Sequence, residues 1–142
     1  MSKKTKLIIP WENTIDNIED LEGFVYMITH VPTGTKYIGK KSYWSRRRIK
    51  VKGRTNRKRV IKESDWKYYY SSNDWIKEEV KTNGISDFKF EILRHCKNKR
   101  ETTYYEVWYQ FKFDVLSSKL DNGEYEYINT NISGKFFRSF LE

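Results

Sequence analysis

The sequence predicts a single small α/β domain in which short strands and two helices share an aromatic core. Its 142 residues suffice for one domain with a modest core and leave no room for two. Aromatic residues make up 17% of the chain although its mean hydropathy is −0.87. That is more than a disordered chain carries, so Tyr, Trp and Phe must supply much of the core. Strand-like and helix-like runs then alternate along the chain.

Residues 1–22 form an N-terminal lead-in, a basic start followed by Leu7-Ile8-Ile9-Pro10 and the acidic TIDNIEDLEG, read as a strand or loop and a helical turn. The domain proper is placed at 23–135. GFVYMITH is β-branched and aromatic, VPTGT is a turn around Pro32 and Gly34, and KYIG is a second short strand. Two such runs around a Gly-containing turn read as a β-hairpin. The insertion 40–62, KKSYWSRRRIKVKGRTNRKRVIK, contains Gly53 and lacks apolar periodicity, so an extended, mobile loop is expected. Ser45 is placed to cap a helix over Arg46–Ile49, but three cations in a first turn oppose the helix dipole. ESDWKYYYSS is aromatic and unassigned. Asn73–Asn83 reads as a helix, with Ser72 or Asn73 as cap, Trp75, Ile76 and Val80 on one face, and Gly84 as the stop. FKFEILRHC alternates and reads as a third strand. Lys99–Leu116 is the longest helical segment, with Tyr104, Trp108, Phe111 and Val115 at helical spacing. The loop SSKLDNGE leads to YEYINTNI and an aromatic tail at 136–142.

The net charge of +9 is unevenly spread. Residues 36–62 hold 13 Lys or Arg and no acidic residue, which leaves 15 basic against 19 acidic residues elsewhere. Charge concentrated in this way implies a polyanion partner whose counterions phosphate contacts would release. Lys40, Lys41, Arg46, Arg48, Lys50, Lys52, Arg54, Arg57, Lys58 and Arg59 are the candidate DNA-binding residues, and Tyr43 and Trp44 add stacking surfaces. Cys96 is the only cysteine, so no intramolecular disulfide forms, and with only His30 and His95 a four-ligand structural zinc site is not expected. His30 and His95 read as strand or strand-end residues, and Cys96 as an inert buried thiol. MSKKTKLIIPWEN lacks the apolar core of a signal peptide and no run reaches transmembrane length, so a soluble cytoplasmic protein with no membrane partner is expected.

The hairpin is the most specific feature. Phe24-Val25-Tyr26 and Tyr37-Ile38-Gly39 carry two tyrosines 11 residues apart on adjacent strands. Here the chain resembles the GIY-YIG nucleases, with FVY standing for the first tripeptide and YIG matching the second. An arginine about ten residues after YIG, a helical glutamate and a late asparagine follow in that family. Arg47, Glu106 in TYYEVWYQF and Asn129 in YIN occupy the matching places. YYYSSNDWIKEEVKTNG, FKFEIL and YYEVWYQFKFDVL are similar to the GIY-YIG proteins of large phages, the homing-endonuclease-like group, over roughly residues 23–132. A phage origin would put the protein in the host cytoplasm.

The resemblance implies a three-stranded antiparallel sheet flanked by helices, with the active site on one sheet face, and a DNA endonuclease that hydrolyses phosphodiester bonds. Such chemistry needs a water, a proton acceptor and cations where charge develops. Tyr26 would be the general base. An unperturbed phenol is only about 0.1% ionised at pH 7, so Lys40 and Lys41 are its expected helpers. Tyr37 would orient the water or the phosphate, and Arg47 would clamp the scissile phosphate. Glu106 would hold one divalent cation, Mg²⁺ or Mn²⁺, with no small-molecule cofactor besides. It lies about 200° around the helix from Trp108, away from the Tyr104–Trp108–Phe111 stripe, and so on an open face. Asn129 would hold a water or a tyrosine hydroxyl. Glu101 competes with Glu106, Arg46 and Arg48 with Arg47, and Asn131 with Asn129. A single site cuts one strand per event, so a double-strand break would need two nicks or a transient homodimer on DNA. The rival from another class is a non-catalytic nucleic-acid-binding module of the same fold.

Overall fold

A computed structural model of the protein describes residues 6–142; the first five residues of the lead-in lie outside the described residues. Strand β1, Gly23–His30, turns at Gly34 into β2, Thr35–Ser42, and the two pair antiparallel along their whole length. Gly34 has φ 78°, a left-handed conformation that its missing Cβ permits. Strands β3, Trp44–Ile49, and β4, Lys58–Glu63, form a separate two-stranded ribbon. Helix α1, Asp74–Asn83, leads into β5, Phe88–Cys96, then helix α2, Lys99–Lys112, and the short β6, Asn131–Ile132, and β7, Phe136–Phe137. The main sheet has the order β2-β1-β5 and is antiparallel throughout, the expected three-stranded sheet.

The alternation along β1 gives the sheet two apolar faces. Phe24, Tyr26 and Ile28 join Phe88, Phe90 and Ile92 under Trp11, Trp66 and the α1 residues Ile76 and Val80. Val25, Met27, Ile38 and Cys96 form the other face, with Val115, Leu116, Tyr127 and the α2 residues Tyr105 and Tyr109 against it. Ile9 and Trp11 are buried in the first cluster, so the folded unit begins before Gly23. Glu12 also bridges to Glu91 on the outer edge of β5.

Helix α1 is capped as its sequence implies: Ile76 N donates to Asn73 Oδ1, and Gly84 at φ 79° ends it. Helix α2 stops four residues short of the expected Leu116. Asp114 enters the left-handed region at φ 52°, and Val115 N donates back to Gln110 O, the Schellman closure of a helix end.

Two expectations are corrected. The 40–62 insertion is no extended loop, and no helix starts at Ser45. It is a β-ribbon arm in which Arg46, Arg47 and Arg48 stand opposite Ile61, Val60 and Arg59. Solvent meets both faces of the ribbon, so its strands carry no apolar alternation for a sequence to display. The Tyr104–Trp108–Phe111 stripe is not the packed face of α2. These residues are 62%, 41% and 52% exposed, while Thr102 and Gln110 are buried. Aromatics occur all round this helix, so spacing alone could not identify the inner side.

Tyr26 pairs across the ladder with Gly39, and its ring lies over the glycine. A Cβ at Gly39 would overlap the Tyr26 hydroxyl and crowd the Tyr37 ring, both held in the core. Gly39→Ala is therefore expected to lower unfolding stability by about 1–3 kcal/mol, as overpacking does. Urea denaturation checks this; an unchanged midpoint would mean the rings move aside freely.

Candidate active site

The site forms where strand β2 lacks a strand partner on its outer side. Lys36 N donates to Glu126 O and Ile128 N donates to Lys36 O, so the returning chain runs alongside β2 for a short stretch. The Asn129 side chain then extends the ladder. Ile38 N donates to its Oδ1 at 3.0 Å, and its Nδ2 donates to Ile38 O at 2.8 Å. Beyond this clip lies a cavity of about 350 Å³ lined by Tyr37, Asn73, Glu106, Gln110, Asn129 and Asn131, among others. Asn129 thus meets the edge strand with both ends of its amide, rather than holding a tyrosine hydroxyl.

Tyr37 enters the cavity from one sheet face and Glu106 reaches it from α2 on the other. Burial raises the Glu106 carboxyl above the usual carboxylate range, with Lys40 pulling the other way. Burial also raises Tyr37, the Ser72 hydroxyl opposes this, and the nearby Tyr69 and Glu106 add to it. Glu106 faces the sheet side of α2, not an open face as expected.

Tyr26 does not line this cavity. It is 1% exposed and its hydroxyl lies 3.4 Å from that of Tyr69. Burial, then the neighbouring phenols Tyr69 and Tyr37, hold it protonated far above the ordinary tyrosine range. The expected general base is therefore sealed in the core in this conformation. Its ring centroid is 6.3 Å from that of Tyr37, which it supports. Lys41 Nζ sits over the Tyr69 ring at 4.4 Å and pairs with Asp65 at 2.6 Å. Ser71, between Tyr69 and α1, holds φ 102°, a strained conformation for a residue with a Cβ.

The remaining predicted residues are spread out. Arg46 is taken up by Glu22 in a bidentate pair, at 2.9 and 2.6 Å. Arg47 lines a different cavity, with Lys41, Trp44 and Lys62, and is not brought to Glu106. Arg48, Lys50, Lys52, Arg54, Arg57, Lys58 and Arg59 are exposed along the arm. Among the described residues, Arg46 is the only cation of strands β3 and β4 with an acidic partner. Lys40 donates to Thr103 Oγ1 beside Lys41 and Lys99. Glu101 sits in the first turn of α2 without lining the Glu106 cavity. Asn131 does line it, and its Oδ1 accepts from Gly134 N. His30 bonds Thr33, and His95 joins Tyr43 to Asn13 O, as structural residues do. Cys96 is fully buried.

A sequence model of a family described as putative endonuclease segE, GIY-YIG domain, matches residues 9–132. The chain belongs to the GIY-YIG endonuclease family. No curated protein and no solved structure matches it significantly. The GIY-YIG sheet and its two tyrosine strands are thus those of a nuclease family. Tyr69, Ser71, Ser72 and Gln110 do not stand out in the sequence. The hydroxyl run YYYSS at 68–72 is the available signal for the first three, and Gln110 has none beyond standing one helical turn after Glu106.

Glu106 has no ion-pair partner among the described residues. Its folded-state pKa is raised, so its protonated form favours folding below the ordinary carboxylate value, and that contribution is lost as pH rises through the folded value. At pH 7 the half-buried carboxylate opposes folding. Glu106→Gln is therefore expected to raise the melting temperature by a few degrees at pH 7, with the gain fading towards pH 4. Calorimetry at several pH values checks this; a lower melting temperature at pH 7 would contradict it.

Proposed function

We propose that the protein is a metal-dependent DNA endonuclease of the phage homing-endonuclease-like kind. The observation that carries this reading is the convergence of Tyr37, Glu106 and Asn129, from β2, α2 and the returning chain, on one polar cavity. A domain that only held nucleic acid would need no half-buried carboxylate there. The donor set suits Mg²⁺ or Mn²⁺. Mg²⁺ commonly takes one or two carboxylates and keeps several waters, and Glu106 shares the cavity wall with amide side chains, among them Gln110, whose Oε1 has no hydrogen-bond partner. Among the described residues no cluster of three or more His, Cys, Asp or Glu offers a richer site. Bound there, the cation would supply Lewis acidity and lower the pKa of a water.

The chain's own residues do the rest. Tyr37, kept protonated by burial, donates a hydrogen bond to a phosphate oxygen or orients the attacking water. Lys40 places positive charge beside Glu106. Tyr26 supports the Tyr37 ring from the core, and Arg47 serves a phosphate beside the scissile one. The arm continues β2 past a bend at Tyr43, so the strand that carries Tyr37 also carries the grip on DNA. Arg48 stands directly opposite Arg59, like charges that disfavour the ribbon unless an anion joins them. The sealed Tyr26 and the remote Arg47 favour a second reading, a binding module without catalysis.

Supercoiled plasmid with Mg²⁺ or Mn²⁺ separates the two. Nicked or linear product from wild-type protein, lost with EDTA and in Glu106→Ala, is expected. DNA retarded in a gel yet intact with either metal would establish the binding module instead. The double variant Arg48→Gln/Arg59→Gln is expected to weaken binding and to flatten log K against log salt, by up to about 0.9 for each phosphate no longer neutralised. An unchanged slope would remove these two residues from the interface.

A further inference from the structure

Gln110 is 5% exposed on the inner side of α2 and lines the same cavity as Tyr37, Glu106 and Asn129. Its neighbours fix the orientation of its amide. Nε2 donates to Ile38 O at 3.3 Å, and turning the group over would set Oε1 against that carbonyl, two acceptors face to face. Oε1 is thus committed to the other side. There it is the one buried side-chain oxygen or nitrogen, among the described residues, without a hydrogen-bond partner. Nearby buried groups are satisfied: Asn129 is engaged at both ends and Thr102 Oγ1 donates to Asn98 O. A core that pairs its other polar atoms leaves this acceptor unpaired in a residue that lines the cavity.

An amide oxygen takes a hydrogen-bond donor or a cation and repels a phosphate oxygen, so its partner is not the substrate's anionic group. Gln110 is one helical turn beyond Glu106, a spacing that sets Cβ atoms about 5–6 Å apart. The broad terminal torsion of glutamine would let Oε1 tilt towards a water bound at Glu106, at the expense of the 3.3 Å bond from Nε2 to Ile38 O.

We infer that Gln110 is a positioning residue of the hydrolytic site, whose Oε1 accepts a hydrogen bond from a water held at the Glu106 cation position and fixes how that water faces. The inference rests on the nuclease reading of the cavity and adds the group that orients its solvent. Ile38 O has a second donor in Asn129 Nδ2, so the Gln110 bond to it is partly redundant as a structural tie. The orphaned oxygen is what the core alone does not explain.

Gln110→Met keeps the volume and removes both polar atoms. Melting temperature, Mn²⁺ affinity of the DNA-free protein by electron paramagnetic resonance, and kcat and KM on a defined duplex are measured. The expected result is a melting temperature equal to or above wild type, with about tenfold weaker Mn²⁺ binding or about tenfold lower kcat, or both, as for other residues that orient metal ligands. KM for DNA stays unchanged. Wild-type Mn²⁺ affinity and kcat in a folded Gln110→Met protein would overturn the inference and leave the nuclease reading standing. Wild-type protein that neither takes up Mn²⁺ nor nicks DNA would overturn both. Should Gln110→Met melt early, Mg²⁺ titration of the unsubstituted protein decides. The Gln110 side-chain amide signals in NMR spectra shift with saturation if the inference holds and stay fixed if it fails.

Discussion

The peptide of Ile38 is the point on which the site depends. A strand at a sheet edge presents N–H and C=O groups that must find partners wherever water is excluded. Here the partners are side chains, with the Asn129 amide closing on both groups and Gln110 adding a second donor to the carbonyl. Satisfying one buried peptide therefore draws the returning chain and α2 to the strand that carries Tyr37. Glu106 comes with α2, because it shares a helix face with Gln110. The cavity assembles around a backbone requirement, and the proposed chemistry would use the space left beside the clip.

The arm and the body are joined as firmly at their junction as the arm is free beyond it. Tyr43 is fully buried, Trp44 Nε1 donates to Leu21 O at 2.7 Å, and Ser64 Oγ holds Ser42 O at 2.6 Å. The Arg46–Glu22 pair adds a bidentate tie, and it holds the Glu22 carboxyl below its ordinary range. Past that point the ribbon is cation after cation in water. On the proposed nuclease reading, this division would keep the root of the arm in register with the cavity while the tip follows a phosphate backbone.

Several features that lower stability lie close together around the cavity. Ser71 holds φ 102°, Gln110 Oε1 is unpaired, and Glu106 is a carboxylate drawn into the protein without an ion-pair partner among the described residues. An unpaired buried acceptor alone costs about 1–3 kcal/mol. The aromatic core beneath, with Trp11, Phe24, Tyr26 and Phe90 edge to face at about 5 Å, carries these costs. Local rules are broken in one place while the rest of the fold obeys them, and that place is where the proposed function puts its site.

The sequence by itself determined the hairpin, the third strand, both helices with a cap for the first at Ser72 or Asn73, and the concentration of charge in one segment. Each of these follows from local physics: turn chemistry, alternation, capping, and charges too many to be neutralised nearby. The order of Tyr26, Tyr37, Arg47, Glu106 and Asn129 also carried the family resemblance. Only the tertiary structure decided which side of α2 packs, because aromatics surround that helix and burial is a property of neighbours. It decided that the basic segment pairs with itself, since a ribbon wetted on both faces leaves no apolar pattern. It decided that Tyr37 rather than Tyr26 meets Glu106, that Arg46 is occupied by Glu22, and that Gln110 keeps an unpaired oxygen. These are contacts between residues as far apart as Ile38 and Asn129, and a sequence read locally holds no record of which distant amide will close on which peptide.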